Sequence, residues 1–74
     1  MNDNDFFILL GTELKKLRSK NNFTLKQVSD YSGISISYLS AIELGEKQVS
    51  LSYLRTLCEF YEVELWKLIK KVTI

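Results

Sequence analysis

The sequence has no histidine, no proline and only one cysteine, Cys58, among its 74 residues. One thiol cannot form an intramolecular disulfide, and a tetrahedral zinc site needs histidines or further thiols that are missing. There is likewise no phosphate-cradling glycine loop and no pair of carboxylates in a recognisable catalytic frame. We therefore expect a protein that is not an enzyme and that binds no metal, no cofactor and no small-molecule ligand.

Long hydrophobic runs and an excess of one charge are also missing. The apolar run FFILL is too short to cross a bilayer, and its acidic flank is unlike the basic start of a secretory signal. Ten Lys and Arg against nine Asp and Glu give a net charge of +1, which neither requires nor excludes nucleic acid. We expect a cytoplasmic protein without a membrane partner.

Apolar residues recur at helical spacing, which predicts an all-α fold. The spacing places helices at about residues 5–20, 25–32, 36–43, 51–61 and 65–72, within one domain that covers residues 1–74. Three helix starts have local signals: TLKQ at Thr24 is a capping box, and Ser35 and Ser50 are N-cap residues. Only the final KVTI has strand character, and it offers a short strand that would pair with its copy in a second molecule.

The same spacing predicts which side chains of the short helices face the core. In the second helix these are Leu25, Val28 and Tyr31. In the fourth helix they are Leu51, Leu54, Leu57, Cys58 and Tyr61.

Only Gly33 and Ile34 separate the second and third helices before the Ser35 cap. A left-handed glycine closes a helix, and such a short connection favours the steep crossing of a helix-turn-helix. Ser29 places a small side chain at the spacing where the two helices touch. Other helical proteins also have a glycine between short helices, so these features alone leave both interpretations open.

An ordered set of motifs continues this pattern along the chain: ELKKLR, FTLKQVS, GIS, YLSAIELG and the leucine spacing of LSYLRTLCEFYEVELWKL. With these motifs the sequence resembles the Cro and lambda-repressor-like helix-turn-helix regulators, the XRE family, from Leu10 to Ile69. The resemblance implies a compact five-helix fold whose second and third helices form the helix-turn-helix. It also implies a sequence-specific regulator of transcription, a repressor or controller protein, that binds double-stranded DNA as a homodimer.

The resemblance gives a role to an arginine late in the first helix and to the glutamate that ends the third. In this family those residues form an ion pair, and here they are Arg18 and Glu43. A guanidinium and a carboxylate meet in a two-pronged geometry. The pair would fix the angle at which the third helix is presented.

By the same resemblance, the first two turns of the third helix carry the DNA base contacts, at Ile36, Ser37, Ser40 and Ala41. None of these residues is Arg, Gln or Asn, the side chains that make strong bidentate contacts to bases. Apolar side chains suit thymine methyl groups, and serine hydroxyls suit almost any base. We therefore expect shallow base discrimination, with DNA shape supplying part of the specificity.

Contacts to DNA phosphates depend on positive charge, hydroxyls and backbone amides rather than on base sequence. Two usual phosphate donors of the family are replaced by Leu25 and Leu44, and the backbone amides of residues 44–46 are candidates to add neutral donors. The side chains expected to contact phosphates flank the third helix: Thr24, Lys26, Ser35, Tyr38, Lys47 and Gln48.

A homodimer would read two half-sites of a palindromic operator, roughly 34 Å apart. The expected dimer interface is C-terminal and consists of Trp66, Ile69, Val72 and Ile74. Of the three bulky aromatic residues near the chain ends, Phe6, Phe7 and Trp66, we expect two to close the core. The alternative function is a protein-binding module on the same fold: an antirepressor, an antitoxin or an adaptor.

Overall fold

Five helices follow one another along residues 1–73, the part of the chain that the computed structural model describes. They are α1 (Asp3–Lys20), α2 (Leu25–Ser32), α3 (Ile36–Glu43), α4 (Leu51–Tyr61) and α5 (Leu65–Thr73). No strand occurs in these 73 residues, so the all-α five-helix fold is confirmed. The strand alternative for KVTI is wrong for Lys71, Val72 and Thr73, which are helical because α5 continues to Thr73. Ile74 lies outside the described residues.

The predicted N-caps start their helices as expected. Thr24 accepts a hydrogen bond from the Gln27 amide while the Gln27 side chain accepts one from the Thr24 amide, which completes the capping box. Ser35 and Ser50 each accept from the amide three residues later. The first helix begins earlier than predicted because the Asn2 side chain caps it by accepting from the Asp5 amide.

Besides α2, which the left-handed Gly33 closes, three helices end with a residue in the left-handed conformation. These residues are Asn22 after α1, Gly45 after α3 and Glu62 after α4, with φ of 59°, 75° and 57°. In each case the following amide donates to the carbonyl five residues earlier, for example Phe23 to Arg18 at 3.1 Å. These bonds close the helix ends and turn the chain sharply.

The core draws on all five helices and also on the connections between them. Its buried side chains are Leu10, Leu14, Val28, Ile34, Leu39, Ile42, Val49, Leu54, Leu57, Cys58, Tyr61, Leu68 and Val72. Phe6 and Phe7 pack against this cluster, while Trp66 is 60% exposed. None of the helices in residues 1–73 has the length and apolar character that crossing a membrane requires.

The prediction that Tyr31 and Leu51 face the core is wrong. Tyr31 is 56% exposed because its ring lies on the ring of Phe60 at the surface, with centroids 4.6 Å apart, rather than entering the core. Leu51 is 71% exposed because it is the first residue of α4, at the outer end of the helix. Val49, in the preceding connection, is buried.

At Gly11 the backbone of α1 lies against the backbone at the end of α3. A Cβ atom at this position would collide with the carbonyl oxygen of Ile42 and lie 2.8 Å from that of Glu43. Glycine is required here because only a missing side chain lets the two backbones come so near. This contact sets the position of α3 on the rest of the molecule.

Candidate nucleic-acid interface

Helix α3 has a buried face and a free face. Leu39 and Ile42 are buried in the core, whereas Ile36 is 46% exposed and Ser37 is exposed. Ser40 and Ala41 are half-buried between these two faces. Of the four residues predicted to contact bases, Ile36 and Ser37 therefore lie on the free face, and Ser40 and Ala41 lie at its edges.

The turn between α2 and α3 is held by hydrogen bonds to the last residues of α2. Gly33 is left-handed, with φ of 76°, and its amide donates to the Ser29 carbonyl at 2.9 Å. The Ser32 hydroxyl donates to the Val28 carbonyl at 2.7 Å and accepts from the Ile34 amide at 3.2 Å. Since Ile34 is also buried, the turn cannot swing freely, and α3 is presented at a defined angle to α2.

An ion pair ties the end of α3 to α1. Arg18 Nε donates to Glu43 Oε2 at 2.8 Å, and Arg18 Nη2 donates to Glu43 Oε1 at 3.0 Å. The remaining terminal nitrogen, Nη1, donates to the Phe23 carbonyl at 3.1 Å. The side chains of Arg18 and Glu43 are only 17% and 8% exposed, so the pair is largely shielded from water. The hydrogen bonds from Arg18 to Glu43 raise the pKa of the guanidinium.

Tyr38 links α3 to the connection that follows it. Its hydroxyl donates to the Gln48 carbonyl at 2.9 Å, and its ring meets the Tyr53 ring edge-on with centroids 5.8 Å apart. A phenol has one hydrogen to donate, and here that hydrogen is already used. In this arrangement the Tyr38 hydroxyl holds the connection in place, and its contact with a DNA phosphate stays a prediction.

The backbone amides of residues 44–46 are also unavailable as phosphate donors. The amide of Leu44 donates to Ser40, that of Gly45 to Ile42 and that of Glu46 to Ala41, at 2.9–3.0 Å. These are the bonds that close the C-terminus of α3. The candidate role for these amides is therefore wrong, because the helix end uses all three of them.

The other predicted phosphate contacts lie at the surface around α3. Lys47 and Gln48 are exposed after it, and Ser35 and Thr24 are exposed at the starts of α3 and α2. Lys26 is exposed as well and pairs with Asp30 at 3.0 Å. Both members of that pair are well solvated, so the contact is weak and Lys26 can turn towards a phosphate.

The predicted dimer residues do not all share one surface. Trp66 is exposed and Ile69 is half-buried, but Val72 is buried. Val72 follows Leu68 by one helical turn, and both side chains face the core where α5 packs on α1. The prediction that Val72 contacts a second subunit is therefore wrong. Ile74 lies outside the described residues.

Several residues that shape this interface were not found from the sequence. Gly11 sets the approach of α3 to α1, and Ile34 and Val49 anchor the two connections that flank α3. Gly45 does indicate that the amides of residues 44–46 are already hydrogen-bonded, because a glycine just after a helix typically closes it with backbone hydrogen bonds. The Tyr38–Gln48 bond had no such signal.

The helix-turn-helix family model matches residues 14–65, which contain α2, α3 and α4 entirely. The chain belongs to the helix-turn-helix family. It is 35% identical over 57 residues to the transcriptional regulator ClgR of Mycobacterium tuberculosis, in strains CDC 1551 / Oshkosh and ATCC 25618 / H37Rv. That match covers 77% of this chain and 51% of the relative, so the chain spans about half the length of the curated relatives it matches.

Solved structures give the same assignment for the fold. Two crystal structures of the clp gene regulator ClgR from Corynebacterium glutamicum superpose with TM-scores of 0.84 and 0.86, at 26% identity. Both matches cover 92% of this chain, and they cover 88% and 72% of the ClgR chains. The resemblance to XRE-type helix-turn-helix regulators is thus confirmed, and the named relatives are regulators of transcription rather than enzymes.

Proposed function

We propose that this helix-turn-helix chain binds double-stranded DNA in a sequence-specific way and regulates transcription, as a repressor or controller protein in the cytoplasm. The observation that carries this proposal is the division of α3 into two faces. Leu39 and Ile42 hold its inner face, while Ile36 and Ser37 project outward. A helix anchored from behind with a free outer face fits the DNA major groove.

The contacts in this proposal fall into two groups. Ile36, Ser37, Ser40 and Ala41 meet base edges from the outer face of α3. The phosphate contacts come from exposed groups around it: Thr24, Lys26, Ser35, Lys47 and Gln48. Because phosphate contacts position a protein without reading sequence, only the first group determines which operator is preferred.

A second subunit completes the proposal. The exposed indole of Trp66, next to the half-buried Ile69, is an apolar surface of the kind that anchors subunit contacts. A two-fold dimer through this surface would place two copies of α3 on a palindromic operator. The whole chain, residues 1–74, would then act as one DNA-binding unit of the dimer.

Duplex binding as a function of salt concentration tests the proposal. A dimer that neutralises about six phosphates loses affinity with a log–log slope near −5. We expect Lys47→Ala to weaken binding to all duplexes alike and to reduce the slope, because it removes a phosphate contact. Lys15→Ala is the matched control, since Lys15 is an exposed lysine on α1 and has no proposed contact. Ser37→Ala should change the preferred sequence more than the non-specific affinity.

Two outcomes would overturn the proposal. One is the absence of binding to any duplex at low salt, and the other is binding that does not depend on salt. Either would favour the rival function, a protein-binding module such as an antirepressor, an antitoxin or an adaptor. The uncharged outer face of α3 is the feature that such a module would use.

A further inference from the structure

The outer face of α3 lacks every side chain that makes a strong contact to a particular base. Residues 35–42 read SISYLSAI and contain no charged or amide side chain. The one charged residue of α3, Glu43, is held by Arg18 with only 8% of its side chain exposed. Base reading from this helix is therefore limited to hydroxyl groups and to apolar surface.

These two chemistries differ in what they distinguish. A serine hydroxyl donates and accepts, so it pairs with nearly any base edge and selects weakly. An apolar side chain responds to the presence of a methyl group, and in the major groove thymine presents one at C5. Cytosine acquires a methyl group in the same position when it is methylated at C5. Apolar contact with a C5-methyl group is therefore the most selective contact that this face offers.

Ile36 is the side chain placed to make that contact. It is the first residue of α3, it is 46% exposed, and recognition helices present their N-terminal residues to the bases. Ala41, five residues further along and half-buried, adds a smaller methyl surface. Leu44 is also exposed, at 59%, but it caps the opposite end of the helix, beyond the first two turns.

We propose that α3 reads the C5-methyl groups of pyrimidines through Ile36, so that thymine and 5-methylcytosine are favoured over unmethylated cytosine at one position of each operator half-site. This inference rests on the proposed DNA-binding function. It makes operator binding sensitive to cytosine methylation, because a methyl group on cytosine at that position takes the place of the thymine methyl. The contact buries a single methyl group, and discrimination is about fourfold per half-site.

The test begins with selection of preferred duplexes from a random pool. Each thymine of the selected duplex is then replaced in turn by deoxyuridine, which removes only the methyl group. In parallel, cytosine and 5-methylcytosine are compared at each of the same positions. We expect one symmetry-related position at which uracil weakens binding about fourfold per half-site, and at which 5-methylcytosine binds better than cytosine by a similar factor.

Protein variants assign the effect to its side chain. Ile36→Ala should bring the thymine-to-uracil ratio at that position close to one. Leu44→Ala is the control, because Leu44 is an exposed apolar residue at the C-cap of α3 and its removal should leave the ratio unchanged. Circular dichroism checks that both variants keep the helical content of the parent protein.

The outcomes separate this inference from the proposed function. Salt-dependent duplex binding with no uracil effect at any position overturns methyl reading and leaves DNA binding intact. A uracil effect that persists in Ile36→Ala also overturns it, because DNA shape would then be the cause. Failure to bind any duplex overturns the proposed function itself.

Discussion

Arg18 and Glu43, 25 positions apart in the sequence, share two hydrogen bonds that fasten the end of α3 to α1. Removing one partner leaves the charge of the other unpaired at a position that is largely shielded from water. We expect Arg18→Ala to lower the free energy of unfolding by about 2 kcal/mol, below the value for fully buried pairs because some solvent reaches this one. Urea denaturation measures this change.

The exposed pair formed by Lys26 and Asp30 supplies the control for that experiment. Both side chains are solvated, so Asp30→Ala should change stability by less than about 0.5 kcal/mol. If Arg18→Ala and Asp30→Ala lower the free energy of unfolding by the same amount, the Arg18–Glu43 pair stabilises the fold no more than a surface contact does.

Gly11 gives a prediction whose sign is unusual. Alanine normally stabilises the middle of a helix relative to glycine, by about 1 kcal/mol. Here the added Cβ would meet the backbone oxygens of Ile42 and Glu43, and backbone cannot move aside as a flexible side chain can. We expect Gly11→Ala to destabilise the protein by about 2–3 kcal/mol in thermal or urea unfolding. Thr12→Ala, at the exposed neighbour on the same helix, should be close to neutral, and a Gly11→Ala protein as stable as the parent would contradict the close approach.

Tyr38 distinguishes a positioning role from a DNA contact. Tyr38→Phe keeps the ring against Tyr53 and removes the hydrogen bond to the Gln48 carbonyl. We expect a loss of about 1 kcal/mol in unfolding free energy and uniformly weaker duplex binding with an unchanged salt slope. A slope that fell by one phosphate contact, with stability unchanged, would show that the hydroxyl meets DNA after all.

Tyr61 gives the fold a pH dependence at the alkaline end. Burial, together with the nearby charge of Glu43, raises the pKa of Tyr61 to about 12, although Arg18 acts in the opposite direction. In the unfolded chain the pKa of a tyrosine is about 10. Between these two values the unfolded chain loses this proton and the folded chain keeps it. The contribution of Tyr61 to stability is therefore fully present below about pH 10 and is lost as the pH rises to about 12.

Two measurements check that dependence. Tyr61→Phe should flatten the fall in stability between about pH 10 and 12, because phenylalanine has no proton to lose. An absorbance titration of the parent protein and of Tyr61→Phe should differ by one phenol that ionises at about pH 12. If that phenol ionises at about pH 10 instead, the fold does not hold Tyr61 in its neutral form.

Much of the fold was accessible from the sequence because its signals are local. The capping hydroxyls of Thr24, Ser35 and Ser50 bond to amides only three residues away, so a short stretch of sequence contains both partners. Helical spacing then gives the inner faces. Residues buried in connections, such as Ile34 and Val49, follow no such period, and their burial depends on how distant helices close over them. The exposure of Leu51 and Tyr31 has the same cause, because the edge of the core is set by the whole assembly.

The candidate interface divides in the same way. The outer face of α3 could be deduced because Leu39 and Ile42 mark the opposite, inner face of the helix. The partner of the Tyr38 hydroxyl could not be deduced, because it lies ten residues away on a connection whose path depends on packing. The role of Gly11 could not be predicted either, because a glycine within a helix only indicates lower helix propensity until the helix that packs against it is known.

The backbone-to-backbone seating of α3 at Gly11 has a practical implication for engineering. The α3 atoms in that contact belong to the backbone, so the exposed residues at positions 36 and 37 can be exchanged without disturbing it. The fold should therefore tolerate exposed α3 residues taken from other regulators, and each such substitution would change the surface that α3 presents.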